Sequence, residues 1–306
     1  MVFGAGAVGS LLGARLSRGG HHILLVARRE HVEEINAHGL HVEGQIQGTF
    51  PLEAATDLPD RYSTDALLLT VKSYDLATAG AQIARRLLAP TPILALGNGL
   101  EIEPLLLEGL SSGGWARPQE WVVRGVNSIP ATLLGPGRVR QAGEGDVAIG
   151  NDSTGPSASL QSLLAELLRS SEIPVRRVDD LPREVWKKAL VNAAINPVTA
   201  DFRFPNGRLL EEPWRSQALH LLHEAQQAAR AQGFDFSDEE AERELWKVVR
   251  ATRENRSSML QDVERGRPTE VESISGAIAR IGEAYGIPLP HTRRVVERMR
   301  AKAPPS

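Results

Sequence analysis

Hydrophobic and polar positions follow two different patterns along this chain. Up to about residue 180, short uninterrupted apolar runs alternate with stretches of helical periodicity. The apolar runs are residues 23–27, 66–71, 93–96, 121–128 and 175–178. Runs of this length are typical of strands that are covered on both faces of a sheet. Beyond the run 175–178, the chain shows only helical periodicity, in segments 186–206, 214–232, 238–252, 253–264, 269–285 and 292–301. The change of pattern predicts an α/β domain over residues 1–179 and an all-helical domain over residues 180–306.

A glycine motif, GAGAVG at residues 4–9, lies between a short apolar start and a predicted helix that breaks at Gly19-Gly20. In this strand–turn–helix–strand context, Gly4 permits a tight turn, Gly6 lets the backbone approach a pyrophosphate, and Gly9 lets the helix pack closely on the strand. The helix N-terminus adds free N–H groups and a partial positive charge. The motif therefore predicts a Rossmann-type dinucleotide-binding domain. The cofactor-binding residues of the motif are Gly4, Ala5, Gly6, Ala7, Val8 and Gly9. Only three residues precede it, whereas strands are usually about five residues long, so we expect the strand to start upstream.

Two arginines, Arg28 and Arg29, follow the second predicted strand. An acid that binds the ribose 2′-hydroxyl of NAD is usual at this position, whereas arginine suits a 2′-phosphate that it can hold through two hydrogen bonds. The pair therefore predicts NADPH as the cofactor in preference to NADH. The alternative is that both arginines are ordinary exposed surface residues.

Two further polar residues follow predicted strands. Lys72 stands just past the run 66–71, and Asn98 lies within Gly97-Asn98-Gly99 after the run 93–96. Ligands of open α/β sheets bind outside the carboxyl ends of the strands, so both side chains are candidates for contact with the cofactor or substrate. Either one could instead be an ordinary loop residue.

A polar row is predicted on the first helix of the second domain. Lys188, Asn192 and Asn196 recur every four residues and so share one helical face, while apolar residues fill the other faces. Buried without partners, such groups would cost on the order of 1–3 kcal/mol each. They either satisfy one another in a polar seam between helices or face a cavity that holds a polar ligand. Pro197 is expected to end or kink this helix.

Three other segments have local signals. A helix over 31–38 that ends at Gly39 is expected to lead into a small hairpin, and a second hairpin is predicted over 138–150. Thr269 and Glu272 form a predicted capping box, which places Glu270 in the first turn of the helix. Asn255 and Ser258 are expected on one helical face, where they would more often be surface residues than ligand contacts.

Composition excludes several classes of function. The net charge of −3 argues against a nucleic-acid partner, which would need a basic excess. There is no cysteine, so disulfides, thiolate zinc sites and a cysteine nucleophile are excluded, and no histidine spacing supports a catalytic metal. The apolar runs are far shorter than the roughly 20 residues that span a bilayer, so no membrane contact is predicted. A cytoplasmic enzyme is expected. The sequence does not fix the oligomeric state, for which a homodimer is considered.

Taken together, the motifs resemble those of the ketopantoate reductase (2-dehydropantoate 2-reductase) family over essentially the whole chain. The matching segments are GAGAVG at 4–9, VKSYD at 71–75, GNG at 97–99, WKKALVNAAINPVTA at 186–200, PNG at 205–207 and NRSSMLQDVERGRPTEVESI at 255–274. The resemblance implies a dinucleotide-binding domain followed by a helical domain, with the active site in the cleft between them. It also implies NADPH-dependent reduction of a 2-keto acid, ketopantoate, to (R)-pantoate on the route to pantothenate and coenzyme A.

Site residues follow from the same resemblance. It implies a catalytic lysine at Lys188 and an active-site glutamate at Glu270, with Lys72 and Asn98 on the cofactor side. The implied substrate-binding residues are Asn192, Asn196, Asn206, Asn255 and Ser258. The chemistry agrees, because hydride transfer to a ketone leaves negative charge on oxygen and calls for a proton donor. We expect Lys188 to be that donor and Glu270 to orient its ammonium group.

Two alternatives remain open. The first is a related reductase of another 2-keto acid, a 3-hydroxyacid or an imine. The second is a non-catalytic regulator that binds NADP(H), although a regulator has no need for a proton donor on the amide-lined face.

Overall fold

The computed structural model of the protein describes residues 1–151 and 155–302, which form two compact units. The α/β unit comprises Met1–Gly97 and Ile102–Leu181. The helical unit comprises Asn98–Glu101 and the chain from Pro182 onward. The predicted α/β fold with a following helical region is confirmed. The segment 98–101 is the exception to a simple division along the chain, since its contacts are with the helical unit.

The α/β unit contains the strands β1 Val2–Phe3, β2 Leu24–Val26, β3 Leu40–Gly44, β4 Gly48–Phe50, β5 Glu53–Ala55, β6 Leu67–Leu69, β7 Ile93–Ala95, β8 Val122–Asn127, β9 Ala131–Gly135, β10 Arg138–Gln141, β11 Val147–Gly150 and β12 Val175–Val178. Its helices are α1 Ala7–Arg18, α2 Arg29–His38, α3 Leu76–Arg86, α4 Ile102–Ser112 and α5 Gly155–Arg169, with short 3₁₀ turns at Ser73–Asp75 and Pro118–Glu120. Each of the five predicted apolar runs contains one observed strand, namely β2, β6, β7, β8 and β12.

Eight of these strands form the main sheet, in the order β12-β11-β8-β7-β6-β1-β2-β5. From β5 to β8 all pairings are parallel, whereas β11 runs antiparallel to β8. The strands β2, β6 and β7 are fully buried, which explains their uninterrupted apolar sequences. Because β6, β1 and β2 are adjacent and parallel, the chain leaves all three at the same edge of the sheet.

A second, four-stranded sheet has the order β4-β3-β10-β9. The hairpin predicted after Gly39 is present as β3 and β4, which pair antiparallel. The hairpin predicted over 138–150 is wrong. β10 instead pairs antiparallel with the preceding β9 and parallel with β3, and β11 leaves to join β8 in the main sheet. The local pattern could not reveal this, because the partners of β10 and β11 lie elsewhere in the sequence.

The helical unit contains α6 Leu181–Phe202, α7 Trp214–Ala231, α8 Asp238–Ala251, α9 Ser258–Glu264, α10 Ala277–Ala284 and α11 Pro290–Ala301, with a 3₁₀ turn at Asn206–Leu210 and a π-helical turn at Glu272–Gly276. Its main core includes apolar residues of α6, α7, α8, α10 and α11. In the described part of the chain, no helix has the length and apolar character that crossing a membrane requires.

Of the two outcomes expected at Pro197, an end of the helix is wrong, because α6 continues for another five residues to Phe202. Proline removes one backbone donor from a helix. Packing keeps the segment helical, since every residue from Ala193 to Asp201 is buried. Tertiary burial therefore overrides the local helix breaker.

Two predicted helix starts are also wrong. The helix expected over 253–264 begins only at Ser258, so Asn255 lies outside it and the two residues do not share a helical face. The predicted capping box at Thr269 does not form: its hydroxyl accepts from the N–H of Val271 at 3.4 Å, and the carboxylate of Glu272 binds Arg300. The helix begins at Glu272, so Glu270 precedes it instead of lying in its first turn.

Candidate functional site

The glycine loop at residues 4–9 has a conformation that requires glycine at two of its positions. Gly4 has φ +91°, and a Cβ there would lie 2.6 Å from the backbone nitrogen of Val71. A Cβ on Gly9 would lie 2.4 Å from the hydroxyl oxygen of Thr70. At Gly6, in contrast, a Cβ would meet nothing closer than 4.0 Å. Gly4 and Gly9 therefore serve packing, while Gly6 leaves open space beside the loop.

That open space lies at the N-terminus of α1. The helix begins at Ala7 and carries no acidic residue in its first turn, and no side chain of the described residues caps it. The first N–H groups of a helix have no partner within it and bear a partial positive charge. A loop with an open glycine followed by an uncapped helix start fits a phosphate group, as the motif predicts.

The candidate cations of the α/β unit lie at the same edge of the sheet as the glycine loop. Arg28 and Arg29 follow β2 and are exposed, and Lys72 follows β6. Partial burial raises the pKa of Asp75, and the positive charge of Arg28 opposes this shift. Arg28 is therefore within electrostatic reach of the segment that carries Lys72.

Helix α6 is continuous through Lys188, Asn192 and Asn196, so the three residues share one helical face as predicted. Lys188 and Asn192 are half-buried, and Asn196 is 4% exposed. Among the described residues, the buried side-chain nitrogen of Asn196 has no hydrogen-bond partner. A buried amide without a partner is costly, so this atom does not fit the alternative of a satisfied polar seam.

A second buried amide lies in the 3₁₀ turn after α6. Asn206 is 6% exposed and donates its side-chain nitrogen to the hydroxyl of Thr252 at 2.9 Å. Its side-chain oxygen has no partner in the described part of the chain. The backbone N–H of Asn206 donates to the carbonyl of Asn255 at 3.0 Å, which brings these two predicted residues together.

Ser258 reaches α6 through its neighbour. Ser257 is the N-cap of α9 and accepts from the N–H of Leu260 at 3.1 Å. Its hydroxyl also lies 2.7 Å from that of Thr199, one helical turn beyond Asn196. Ser258, the first residue of α9, is exposed. Asn206 therefore contacts Asn255, while Ser258 follows a serine that contacts the C-terminal part of α6.

Glu270 is buried and meets Asn98, whose side-chain nitrogen donates to its carboxylate at 3.3 Å. Ser273 fixes this junction, because its hydroxyl donates to the Glu270 carbonyl at 3.0 Å and its own carbonyl accepts from the N–H of Leu100. Gly99 has φ +118°, and a Cβ there would come within 2.8 Å of the Ser273 carbonyl oxygen. Asn98 was assigned to the cofactor side, but the structure places it in the helical unit beside Glu270.

A small apolar cluster connects this junction to the amides. Val271, next to Glu270, packs with Ala200 of α6 and with Met259 of α9. The helical unit therefore holds a carboxylate, several amides and a hydroxyl around one helix that also carries a lysine. Such a set can bind a small polyoxygenated anion and supply a proton.

Several residues of this framework could not be assigned from the sequence. Ser257 has no place as an N-cap if the helix starts at Arg253, as expected; the pair Ser257-Ser258 before Met259-Leu260 is the signal that could have indicated an N-cap there. Thr199 and Thr252 have no sequence signal, since their partners lie 58 and 46 residues away.

The comparisons with known proteins agree over nearly the full chain. The family model described as "Ketopantoate reductase PanE/ApbA" matches residues 1–153, and its C-terminal counterpart matches residues 180–303. The chain belongs to the ketopantoate reductase family. It is 36% identical to a 2-dehydropantoate 2-reductase of Archaeoglobus fulgidus, with 94% of this chain and 91% of that protein covered. A 2-dehydropantoate 2-reductase of Escherichia coli O157:H7 is 29% identical over 98% of this chain and 94% of that protein.

Solved structures show the same fold. A PanE/ApbA family ketopantoate reductase from Ralstonia eutropha JMP134 superposes with a TM-score of 0.86 at 30% identity, covering 99% of this chain and 98% of the other. D-mandelate dehydrogenase, solved with NADH and anilino(oxo)acetate, gives a TM-score of 0.89 at 26% identity over the same shares. The predicted family, fold and enzyme class are confirmed.

The contrast between two glycines of the loop gives a first prediction. Gly9→Ala should lower the free energy of unfolding by about 1–3 kcal/mol, because its methyl group meets Thr70. Gly6→Ala should change it by less than about 0.5 kcal/mol, yet weaken NADPH binding about tenfold or more, since its methyl group enters the open space. Urea unfolding and NADPH titration measure both effects. A Gly6→Ala protein that binds NADPH like wild type would contradict this description of the loop.

The amide on α6 gives a second prediction. Asn196→Leu removes a buried nitrogen without a partner, so the free energy of unfolding should stay within about 1 kcal/mol of wild type or rise. Thr199→Val is the matched comparison, because it removes a hydroxyl that is fully hydrogen-bonded and should cost about 1–2 kcal/mol. Urea unfolding of both variants decides. A larger loss for Asn196→Leu would show that its amide already stabilises the unliganded protein.

Proposed function

We propose that the protein reduces ketopantoate to (R)-pantoate with NADPH, and that the substrate anion binds along α6. Membership of the ketopantoate reductase family supports the reaction. The observation that carries the site is the pair of buried amides, Asn196 and Asn206, each with one polar atom that has no partner among the described residues. These atoms are one donor and one acceptor, which suits a substrate that has both carboxylate and hydroxyl groups.

In this proposal residues 1–179 hold the cofactor and residues 180–306 hold the substrate. Asn98 is the exception, because it would act together with the substrate-holding residues. Gly4 to Gly9 would bind the pyrophosphate, Arg28 and Arg29 the 2′-phosphate, and Lys72 would contribute a further positive charge near it. When bound, NADPH supplies the hydride for the keto carbon. The fit of an open glycine and an uncapped helix start to a phosphate supports this part.

The substrate would be held by amides and one hydroxyl. We assign this role to Asn192, Asn196, Asn206, Asn255 and Ser258. Lys188 would donate a proton to the carbonyl oxygen as negative charge develops there, and Glu270 would orient the Lys188 ammonium group. Asn98 donates to the Glu270 carboxylate and so helps to fix its orientation.

A second candidate is a dehydrogenase for a different 2-hydroxy acid. The structural similarity to D-mandelate dehydrogenase is as high as that to a ketopantoate reductase. The two candidates share the amide-lined helix and differ in the side chain of the substrate. NADPH and NADH oxidation measured with ketopantoate and with an aromatic 2-keto acid separates them. Preference for a 3-keto acid or an imine would favour a related reductase, and cofactor binding without turnover would favour a regulator.

The remaining expectations belong to the same proposal. A cytoplasmic location agrees with relatives named for a biosynthetic reductase and with a chain that lacks cysteine. The homodimer stays a prediction.

Lys188→Ala tests the proton donor. We expect kcat with ketopantoate to fall by about 10²–10⁴-fold, because general acid catalysis contributes about that factor, while the Kd for NADPH changes little. Lys187→Ala is the matched control, since this neighbouring lysine pairs with Glu244. Steady-state kinetics and NADPH titration measure both quantities. Turnover near the wild-type rate in Lys188→Ala would remove the assignment.

The cofactor preference is tested at Arg28 and Arg29. The double variant Arg28→Ala/Arg29→Ala should raise the KM for NADPH about tenfold or more and leave the KM for NADH nearly unchanged, because only NADPH carries the 2′-phosphate. The single variants show which arginine dominates. Equal use of both cofactors by the wild-type enzyme would contradict the preference.

A further inference from the structure

A buried histidine lies beside the glycine loop, outside the motif that predicts cofactor binding. His31 is 6% exposed and occupies the first turn of α2, two residues after Arg29. Its Nε2 atom lies 2.9 Å from the hydroxyl of Ser10 in α1, and its Nδ1 atom accepts from the backbone N–H of Gly137 at 2.9 Å. The ring therefore connects α1, α2 and the turn between β9 and β10.

The direction of these hydrogen bonds is fixed. Because Nδ1 accepts from Gly137, a neutral ring carries its proton on Nε2 and donates it to Ser10. Burial lowers the pKa of His31, which favours the neutral ring. The Ser10 hydroxyl is then free to donate its own proton to the carbonyl of Ala5, which lies 3.3 Å away.

Ser10 contacts two successive peptide groups of the glycine loop. Its hydroxyl meets the carbonyl of Ala5, and its backbone N–H donates to the carbonyl of Gly6 at 3.0 Å. In a trans peptide group, the carbonyl and the following N–H point in opposite directions. The bond to the Gly6 carbonyl therefore sets the direction of the Ala7 N–H, which begins α1 and is one of the donors available to a phosphate.

We propose that His31 and Ser10 are positioning residues that hold the glycine loop in the orientation that binds the pyrophosphate of the cofactor. His31 fixes the rotamer of Ser10, and Ser10 fixes the peptide groups after Ala5 and Gly6. The proposal requires no direct contact between either side chain and the cofactor. The inference rests on the proposed cofactor-binding role of the loop and adds the residues that keep it in shape.

The two ring nitrogens can be tested separately. In His31→Gln the side-chain amide reaches the position of Nε2 and can still donate to Ser10. In His31→Asn the shorter amide reaches the position of Nδ1 and can still accept from Gly137, but it no longer reaches Ser10. Ser10→Ala removes the hydroxyl alone. His38→Gln is the matched control, because His38 is exposed at the other end of α2.

NADPH is the probe, and its Kd is measured by direct titration of the full-length protein. We expect the Kd to rise about tenfold in Ser10→Ala and in His31→Asn, as for loss of one hydrogen bond, and less than about threefold in His31→Gln and His38→Gln. The Kd for NADH should rise by the same factor as that for NADPH, since both cofactors carry the pyrophosphate. At saturating NADPH, kcat and the KM for ketopantoate should stay within about twofold of wild type.

Three outcomes would overturn the inference. The first is a Kd in Ser10→Ala within about twofold of wild type. The second is equal weakening by His31→Asn and His31→Gln, which would point to a general role of the ring in packing α2. The third is a rise in Kd for NADPH without a rise for NADH, which would show that Arg28 and Arg29 had moved and the loop had not. Wild-type protein that binds NADPH but does not reduce ketopantoate would contradict the proposed function alone.

Discussion

Close approach between two backbone segments is the constraint on which the α/β unit depends. Gly4 and Gly9 lie so near Thr70 and Val71 that a single methyl group would not fit at either glycine. Thr70 also donates its hydroxyl to the Gly4 carbonyl at 2.9 Å, so the segment after β6 holds the loop after β1. The open space at Gly6 is available to a ligand only because the glycines on either side are packed this tightly.

The helical unit has a different constraint. Its site buries polar side-chain atoms, whereas the glycine loop leaves no room for a side chain at two positions. Asn196 and Asn206 each keep one atom without a partner in the described structure, at a cost of about 1–3 kcal/mol per atom. A core of this size can carry that cost if neighbouring contacts compensate. In the complex proposed above, hydrogen bonds from the substrate to these atoms would remove the cost and so favour binding.

Sequence reasoning succeeded where the signal is local. The glycine loop, the fully buried strands and the helical second half all follow from patterns that span fewer than about twenty residues. It failed where the partner is distant in the chain. The predicted hairpin pairs β10 with β11, although β3 and β8 are among their partners, and α6 continues to Phe202 past Pro197, which was expected to end or kink it. The capping box at Thr269 failed because Glu272 binds Arg300 on α11.

The candidate site divides in the same way. The positions of Lys188, Asn192 and Asn196 on one face follow from helical periodicity, and their roles were inferred only through the family resemblance. The meeting of Asn98 with Glu270 spans 172 residues and has no local signal. The contact between Ser10 and His31 also has no local signal, because each residue lies in a segment with the pattern of an ordinary amphipathic helix.

Compensation for the buried amides of α6 is found at the end of the same helix. Asp201, whose side chain is 2% exposed, forms ion pairs with Arg298 at 2.6 Å and with Lys302. At the other end of α11, buried Glu224 of α7 accepts from the backbone N–H groups of His291 and Thr292 at 2.9 and 2.6 Å. Both ends of α11 are thus tied by charged hydrogen bonds, each stronger than a neutral one. Since Val296 and Met299 of α11 pack with Ala200 and Met259, this anchoring holds the C-terminal part of α6 against α9, although the side-chain nitrogen of Asn196 has no partner among the described residues.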